Sequence, residues 1–229
     1  MDRLATYIEI RQRIWAICDD LEPLDGERIV PGCPAWNVKD LVAHLAGICA
    51  DGIAGRMDGV TQDWWTQRQV DERGELSLSE VLAEWRTTAP MFEAALAEAD
   101  TISAPLLLDA WTHEQDLRSA LDRHDLERAQ RRETERTLAG WVVDALTGGA
   151  RSAGLDPVDV VFQPDAADTS GTGARLHIEA SEYLRGAFGR RSHAQLVAWP
   201  WQGVDDPDPY IEALTIFGIA ATDIVEPRI

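Results

Sequence analysis

The segment Asn37-Val38-Lys39-Asp40-Leu41-Val42-Ala43-His44-Leu45-Ala46-Gly47-Ile48 sets the architecture of this chain. Val38, Leu41, Val42, Leu45 and Ile48 recur at the three- and four-residue spacing of a helix with one apolar face. Asn37 is placed to cap that helix, and Asp40 lies at its positive end. His44 falls among the apolar positions, so it points towards the core instead of freely into water. Upstream, Val30-Pro31-Gly32-Cys33-Pro34 reads as a rigid loop. Before it, Leu4, Ile8, Arg11, Ile14, Trp15 and Ile17 predict a helix over 4–21, ended by Pro23 and Gly26. Downstream, Gly52, Gly55 and Gly59 loosen the far end. A polar connection follows over 60–75, with Trp64 and Trp65 either covering a site or packing over the helices.

Ser77 and Glu80 have capping-box spacing ahead of a helix through Val81, Leu82, Trp85, Phe92 and Leu96, which Pro90 is expected to kink or break. Pro105 suits the first turn of the next helix, through Leu108, Trp111 and Leu121. Another helix spans about 132–152. After Gly154 the period changes. Residues 158–162 and 174–180 read as strands joined by a polar turn or hairpin loop, followed by a helix at 181–188, a strand at 195–199 and a helix at 209–217. The expected fold is mostly α, a helical bundle over residues 1–154 followed by a small α+β domain over 155–229.

Composition excludes several classes. The 229 residues carry 21 basic and 40 acidic side chains, a net charge of −19 that repels phosphate backbones and anionic lipid. Nucleic acid and membrane are therefore not expected partners. No run approaches the about 18 apolar residues of a membrane span, and the N-terminus lacks the pattern of a secretory signal. The three cysteines, Cys18, Cys33 and Cys49, form neither a disulfide framework nor a zinc-ribbon spacing. These features predict a soluble, cytoplasmic protein. Cys18 and Cys49 read as small apolar residues within helices, and Cys33 as a loop thiol.

There is no glycine-rich turn between a strand and a helix, and no GxSxG elbow. The histidines and carboxylates remain. Asp109 and His113, four apart, share one helix face, and Asp116 lies close to the same face. With His44, they would give two histidines and a carboxylate in an apolar pocket, a set suited to zinc with one position open, and Asp116 could orient His113 or pair with Arg118 or Arg123. Asp40 and His44 show the same four-residue spacing, but there Asp40 is a first-turn acid. The residues alone leave a second reading, in which each histidine is an ordinary hydrogen-bonded residue. His124, His177 and His193 are read that way.

Two segments carry a resemblance. Residues 30–45, ending in the helix with His44-Leu45, and Asp109-Ala110-Trp111-Thr112-His113-Glu114-Gln115-Asp116-Leu117 resemble the two signatures of the mycothiol-dependent maleylpyruvate isomerase family. Glu182-Tyr183-Leu184-Arg185-Gly186-Ala187-Phe188-Gly189-Arg190-Arg191 and Leu214-Thr215-Ile216-Phe217-Gly218 are similar to its C-terminal segments. The family usually carries Glu where this chain has Asp109, one methylene shorter. Such a ligand must approach more closely or act through water. Glu114 faces about 100° away on the helix and is the weaker substitute.

The resemblance implies a DinB-like four-helix bundle carrying zinc on His44, Asp109 and His113, followed by the small α+β domain. It implies mycothiol as thiol cofactor and a small electrophilic molecule as substrate, for isomerisation or S-transfer. Arg73 and Arg190 sit where family members carry functional arginines, Arg190 also towards the cofactor. Trp36 and Trp111 read as bundle core first and pocket lining second. Two other classes stay open. One is a non-catalytic metal- or ligand-binding protein, favoured by the Glu-to-Asp departure. The other is a metal-dependent hydrolase, which would need Glu114 or Asp40 as a base.

Overall fold

The computed structural model describes residues 1–99, 102–123, 128–152, 154–163 and 173–226. The chain divides into two compact units, Met1–His124 and Asp125–Pro227. The first is built on four long helices: α1 (Arg3–Cys18), α2 (Val38–Ala54), α4 (Leu78–Ala99) and α5 (Ala104–Ala120), with a short α3 (Asp63–Asp71) between α2 and α4. This is the expected four-helix bundle of a mostly α protein. α2 packs chiefly on α4, and α1 on α5. The fully buried side chains Ile10, Ile14, Leu41, Val42, Val81, Trp85, Leu107 and Leu117 fill the space among them.

The local signals explain where these helices start. Asn37 accepts from the Asp40 backbone at 2.8 Å while Asp40 accepts from the Asn37 backbone at 3.1 Å, so two orphan N–H groups at the start of α2 are satisfied reciprocally. Ser77 and Glu80 make the same exchange ahead of α4, at 2.8 and 3.3 Å. α2 stops at Gly55, whose φ of 70° suits glycine. Of the kink or break expected at Pro90, a break does not occur: α4 continues through it. Pro90 and Arg86, whose carbonyl Pro90 cannot serve, both lie on the exposed face, where water can take the hydrogen bond.

Two further differences lie before α4. The loop at 30–34 is the tip of a small antiparallel pair, β1 (Ile29–Val30) and β2 (Cys33–Asn37). The supposed connection at 60–75 contains α3, which buries Trp65, Gln69 and Val70 on one face. Its polar composition hid that face. Trp65 lies in the core and donates from Nε1 to the Arg56 carbonyl, whereas Trp64 is exposed, its ring resting on Gly59.

The second unit holds α6 (Arg128–Ser152), a three-stranded sheet, α7 (Ala180–Ala187), α8 (His193–Val197) and α9 (Asp208–Leu214). The strands β3 (Asp159–Phe162), β4 (Arg175–Ile178) and β5 (Trp201–Gln202) run in that order. β3 and β4 are parallel, and β4 and β5 antiparallel. A parallel pair excludes a hairpin between β3 and β4; residues 164–172, expected to form the turn, lie outside the described residues. The strand expected at 195–199 is instead α8. Ser192 and Gln195 form a capping box there, and a helix nucleated by that exchange overrides the apolar run. The expected boundary at 154/155 and the division at 124/125 differ by α6, which packs on α7 and α9 through a face including Leu138, Ala139 and Val142.

Candidate metal centre

α2 and α5 each deliver a histidine to one place in the first unit. His44 is 1% exposed and His113 6%, and their rings meet edge to face with centroids 5.1 Å apart. Asp109, one turn before His113, reaches both. Its Oδ1 lies 3.5 Å from His44 Nε2 and 3.5 Å from His113 Nε2. The short carboxylate therefore spans to both rings without a glutamate's extra methylene. Its other oxygen, Oδ2, is buried without a hydrogen-bond partner, while the side chain as a whole is 31% exposed. A buried carboxylate oxygen left unpartnered is costly unless something else occupies it.

Each ring is held from behind. His113 Nδ1 lies 3.1 Å from Asp116 Oδ2, and Asp116 is fully buried. His44 Nδ1 lies 2.8 Å from Gln69 Oε1, on α3. Both Nδ1 positions are engaged by acceptors, and both Nε2 atoms face Asp109. Such outer hydrogen bonds fix the ring tautomer and orientation of metal-ligating histidines. Trp36, expected first in the core, is half-exposed on β2, its ring 5.3 Å from that of His44 and 6.2 Å from that of His113. Trp111 is buried in the bundle.

The electrostatics follow from this geometry. Burial raises the Asp109 carboxyl, but the His113 and His44 imidazoles outweigh burial and hold it well below the usual carboxylate range. Burial pulls the His113 imidazolium down, but Asp109 and Asp116 outweigh it and push the group up to about 9. The cluster therefore attracts positive charge, which a proton supplies in the absence of a metal.

His44, Asp109 and His113 form one possible metal-binding group among the described residues. Ligand atoms about 2.1 Å from a tetrahedral ion lie about 3.4 Å from one another, close to the two 3.5 Å separations found here. Cys33, His113 and Asp116 also lie within ligating distance of one another. There, however, His113 Nδ1 and Cys33 Sγ both face Asp116 Oδ2, at 3.1 and 3.8 Å, in hydrogen-bond geometry.

The other residues singled out from the sequence lie as follows. Glu114 is fully buried and pairs with Arg13 at 2.7 Å and Arg118 at 2.9 Å, away from the histidines. Asp40 serves the α2 cap. Arg73 is buried, chelates Glu84 through Nε and an Nη, and donates to the Gln69 carbonyl at 2.9 Å. Arg190, in the second unit, is 9% exposed and donates to the Phe188 carbonyl at 2.6 Å. His193 faces Asp208 at 2.8 Å and His177 is buried, whereas His124 lies outside the described residues. Burial pushes the Cys18 thiol up to about 12 and the Cys49 thiol up to about 11, as befits apolar core residues. Gln69 and Asp51 were not foreseen. Nothing local marks them, because their partners lie on other helices or a turn or more away.

A buried cluster of two histidines and one carboxylate inside a four-helix bundle defines a DinB-like candidate metal-binding protein. Residues 8–102 match the mycothiol maleylpyruvate isomerase N-terminal domain, so this part of the chain is similar to that family. His44 and Gln69 fall within the matched residues, and Asp109 and His113 just beyond them. No curated protein and no solved structure matches the chain. Among the described residues no helix is long and apolar enough to cross a membrane.

Proposed function

We propose that this protein is a zinc-dependent enzyme that uses a mycothiol-type thiol cofactor on a small electrophilic substrate, by isomerisation or S-transfer. One observation carries this reading: both Nε2 atoms converge on Asp109 Oδ1 at 3.5 Å, and Asp109 Oδ2 is buried without a partner. His44, Asp109 and His113 would hold the ion, and three protein ligands leave room for a thiol as the fourth. A cation held there favours thiolate over thiol, so a sulfur poorly ionised at neutral pH becomes a nucleophile. The chain's own contribution is to orient both imidazoles through Gln69 and Asp116, and to cover them with the Trp36 ring. In this reading Arg73 acts behind the site, by holding the backbone of Gln69. Arg190 keeps the proposed role of an anion partner, tested by the kinetics of Arg190→Met.

The family match supports a thiol cofactor over a hydrolytic role. The two carboxylates a hydrolase would have needed as a base are engaged elsewhere, Glu114 with two arginines and Asp40 in a cap. The deciding experiment is metal content per chain, by elemental analysis of untagged wild type and His113→Ala. Near-stoichiometric zinc in wild type, lost in the variant, with turnover of a maleyl-type electrophile only when thiol is added, supports the proposal. Zinc without thiol-dependent turnover would leave a metal-binding protein. No metal in either protein after zinc is supplied would overturn the metal centre itself.

A further inference from the structure

A chain of buried polar groups runs away from His44. His44 Nδ1 meets Gln69 Oε1 at 2.8 Å, and Gln69 Nε2 donates to Asp51 Oδ2 at 2.8 Å. The same Asp51 oxygen accepts from Arg68 at 2.7 Å, and Arg56 pairs with the other oxygen at 2.7 Å. Gln69 and Asp51 are both fully buried. His44, Gly47 and Asp51 occupy successive turns of one face of α2, and Gln69 lies across that face. A Cβ at Gly47 would stand 2.5 Å from Gln69 Cβ, so the glycine is what admits the Gln69 side chain.

Asp51 is badly placed for helix stability. It sits in the last turn of α2, where the helix dipole disfavours negative charge, and it is buried, where a carboxylate must be paired. Its arginines answer the burial but do not explain why an acid stands there. The amide of Gln69 supplies the reason. An amide can present either its oxygen or its NH2 to a neighbour. A carboxylate only accepts, so Asp51 holds the NH2 towards itself and turns Oε1 towards His44. Both ring nitrogens of His44 face an acceptor, Gln69 Oε1 at 2.8 Å from Nδ1 and Asp109 Oδ1 at 3.5 Å from Nε2, and the much shorter contact holds the proton of a neutral ring on Nδ1, which leaves the Nε2 lone pair on the side of Asp109.

We propose that Asp51 sets the tautomer of His44 through Gln69, so that both are positioning residues for the metal centre. For its purpose the inference rests on the reading of His44 as a ligand, but the tautomer can be observed without any metal. Loss of the Asp51 carboxylate leaves Arg68 facing Gln69. The amide then flips to give Oε1 to the arginine and NH2 to His44 Nδ1, and the proton moves to Nε2, where it blocks ligation. Restoring a carboxylate one step closer, as Asp51→Leu/Gln69→Glu, gives one group that accepts from both Arg68 and His44 Nδ1–H.

The test is 15N NMR of histidine-labelled, metal-free protein at a pH where the His44 ring is neutral, alongside zinc affinity by chelator competition. Wild type should show the Nδ1–H form. Asp51→Leu should show the Nε2–H form and bind zinc 10- to 100-fold more weakly, the range for outer-shell losses. The double variant should return both readouts towards wild type, a rescue that a merely structural role for Asp51 does not predict. Gln69→Met leaves Asp51 with its arginines and should also give Nε2–H; it serves if Asp51→Leu does not fold. An Nε2–H ring in wild type would overturn the proposal, as would Nδ1–H with unchanged affinity in the folded single variants. Wild type that shows Nδ1–H yet binds no zinc would overturn the metal reading and not the tautomer assignment.

Discussion

Gly47→Ala puts the packing behind the site to a quantitative test. A methyl group at this position of α2 would lie 2.5 Å from Cβ and 2.7 Å from Cγ of Gln69, about 1 Å inside ordinary van der Waals contact. Two effects oppose one another. Alanine in a helix interior gains about 0.5–1 kcal/mol over glycine. Overpacking a well-filled interface costs about 1–3 kcal/mol. Arg73 grips the Gln69 backbone and Asp51 its amide, so α3 has little freedom to retreat and the overpacking term should win. The net expectation is a loss of about 1–2 kcal/mol, read as a lower urea midpoint with an unchanged slope. Because the 2.8 Å contact from Gln69 to His44 must lengthen, zinc affinity should fall with it, by about tenfold or more. A variant that is more stable than wild type by the helix-propensity gain alone, and binds zinc as well, would refute the close approach of α3 to α2.

Other expectations follow from the same geometry. His113, pushed up to about 9 in the metal-free fold from an ordinary 6.5, gives up a proton when a metal binds. Apparent zinc affinity should therefore rise about tenfold per pH unit as pH approaches about 9 from below and flatten above it, as calorimetry in buffers of differing ionisation enthalpy would show. The sign for stability is opposite. In the metal-free protein the protonated ring stabilises the fold fully below about 6.5, and that contribution is lost as pH rises through 9, visible as a falling Tm in chelator. Zinc at a hundred times its Kd should raise stability by about 2.7 kcal/mol, and chelation or His113→Ala should remove that gain. Asn37→Ala, which breaks the α2 capping box, should cost about 1 kcal/mol in denaturant unfolding and leave zinc stoichiometry intact.

What was legible in the sequence is what one helix or turn encodes by itself. The caps at Asn37/Asp40 and Ser77/Glu80 and the Asp109–His113 pairing are interactions over three or four residues, so spacing alone exposes them. His44 was placed correctly among apolar neighbours because its helix has a clear period. α3 stayed hidden because only Trp65, Gln69 and Val70 face inward, and a stripe with a glutamine in it reads as polar. The parallel pairing of β3 and β4, and the helix in place of a strand at 193–197, depend on partners elsewhere in the second unit and on a Ser192/Gln195 exchange that outweighs an apolar run.

The same reasoning explains why the site was only half visible. Its proposed ligands come from two helices, each carrying a recognisable motif, but the groups that make those ligands usable differ in kind. Asp116 follows His113 by three residues on α5 and could be named in advance. Gln69 is 25 residues from His44 and reaches it only because position 47 has no side chain. A glycine in the middle of an apolar helix looks like a weakness when α2 is considered alone, since it forgoes about 0.5–1 kcal/mol of helix stability. Set against the Gln69 side chain it is a requirement, because any larger residue displaces the amide that faces His44. The histidine and the glycine three residues after it therefore form one functional unit, and a chain that keeps His44 but fills position 47 should retain the bundle while weakening its hold on a metal.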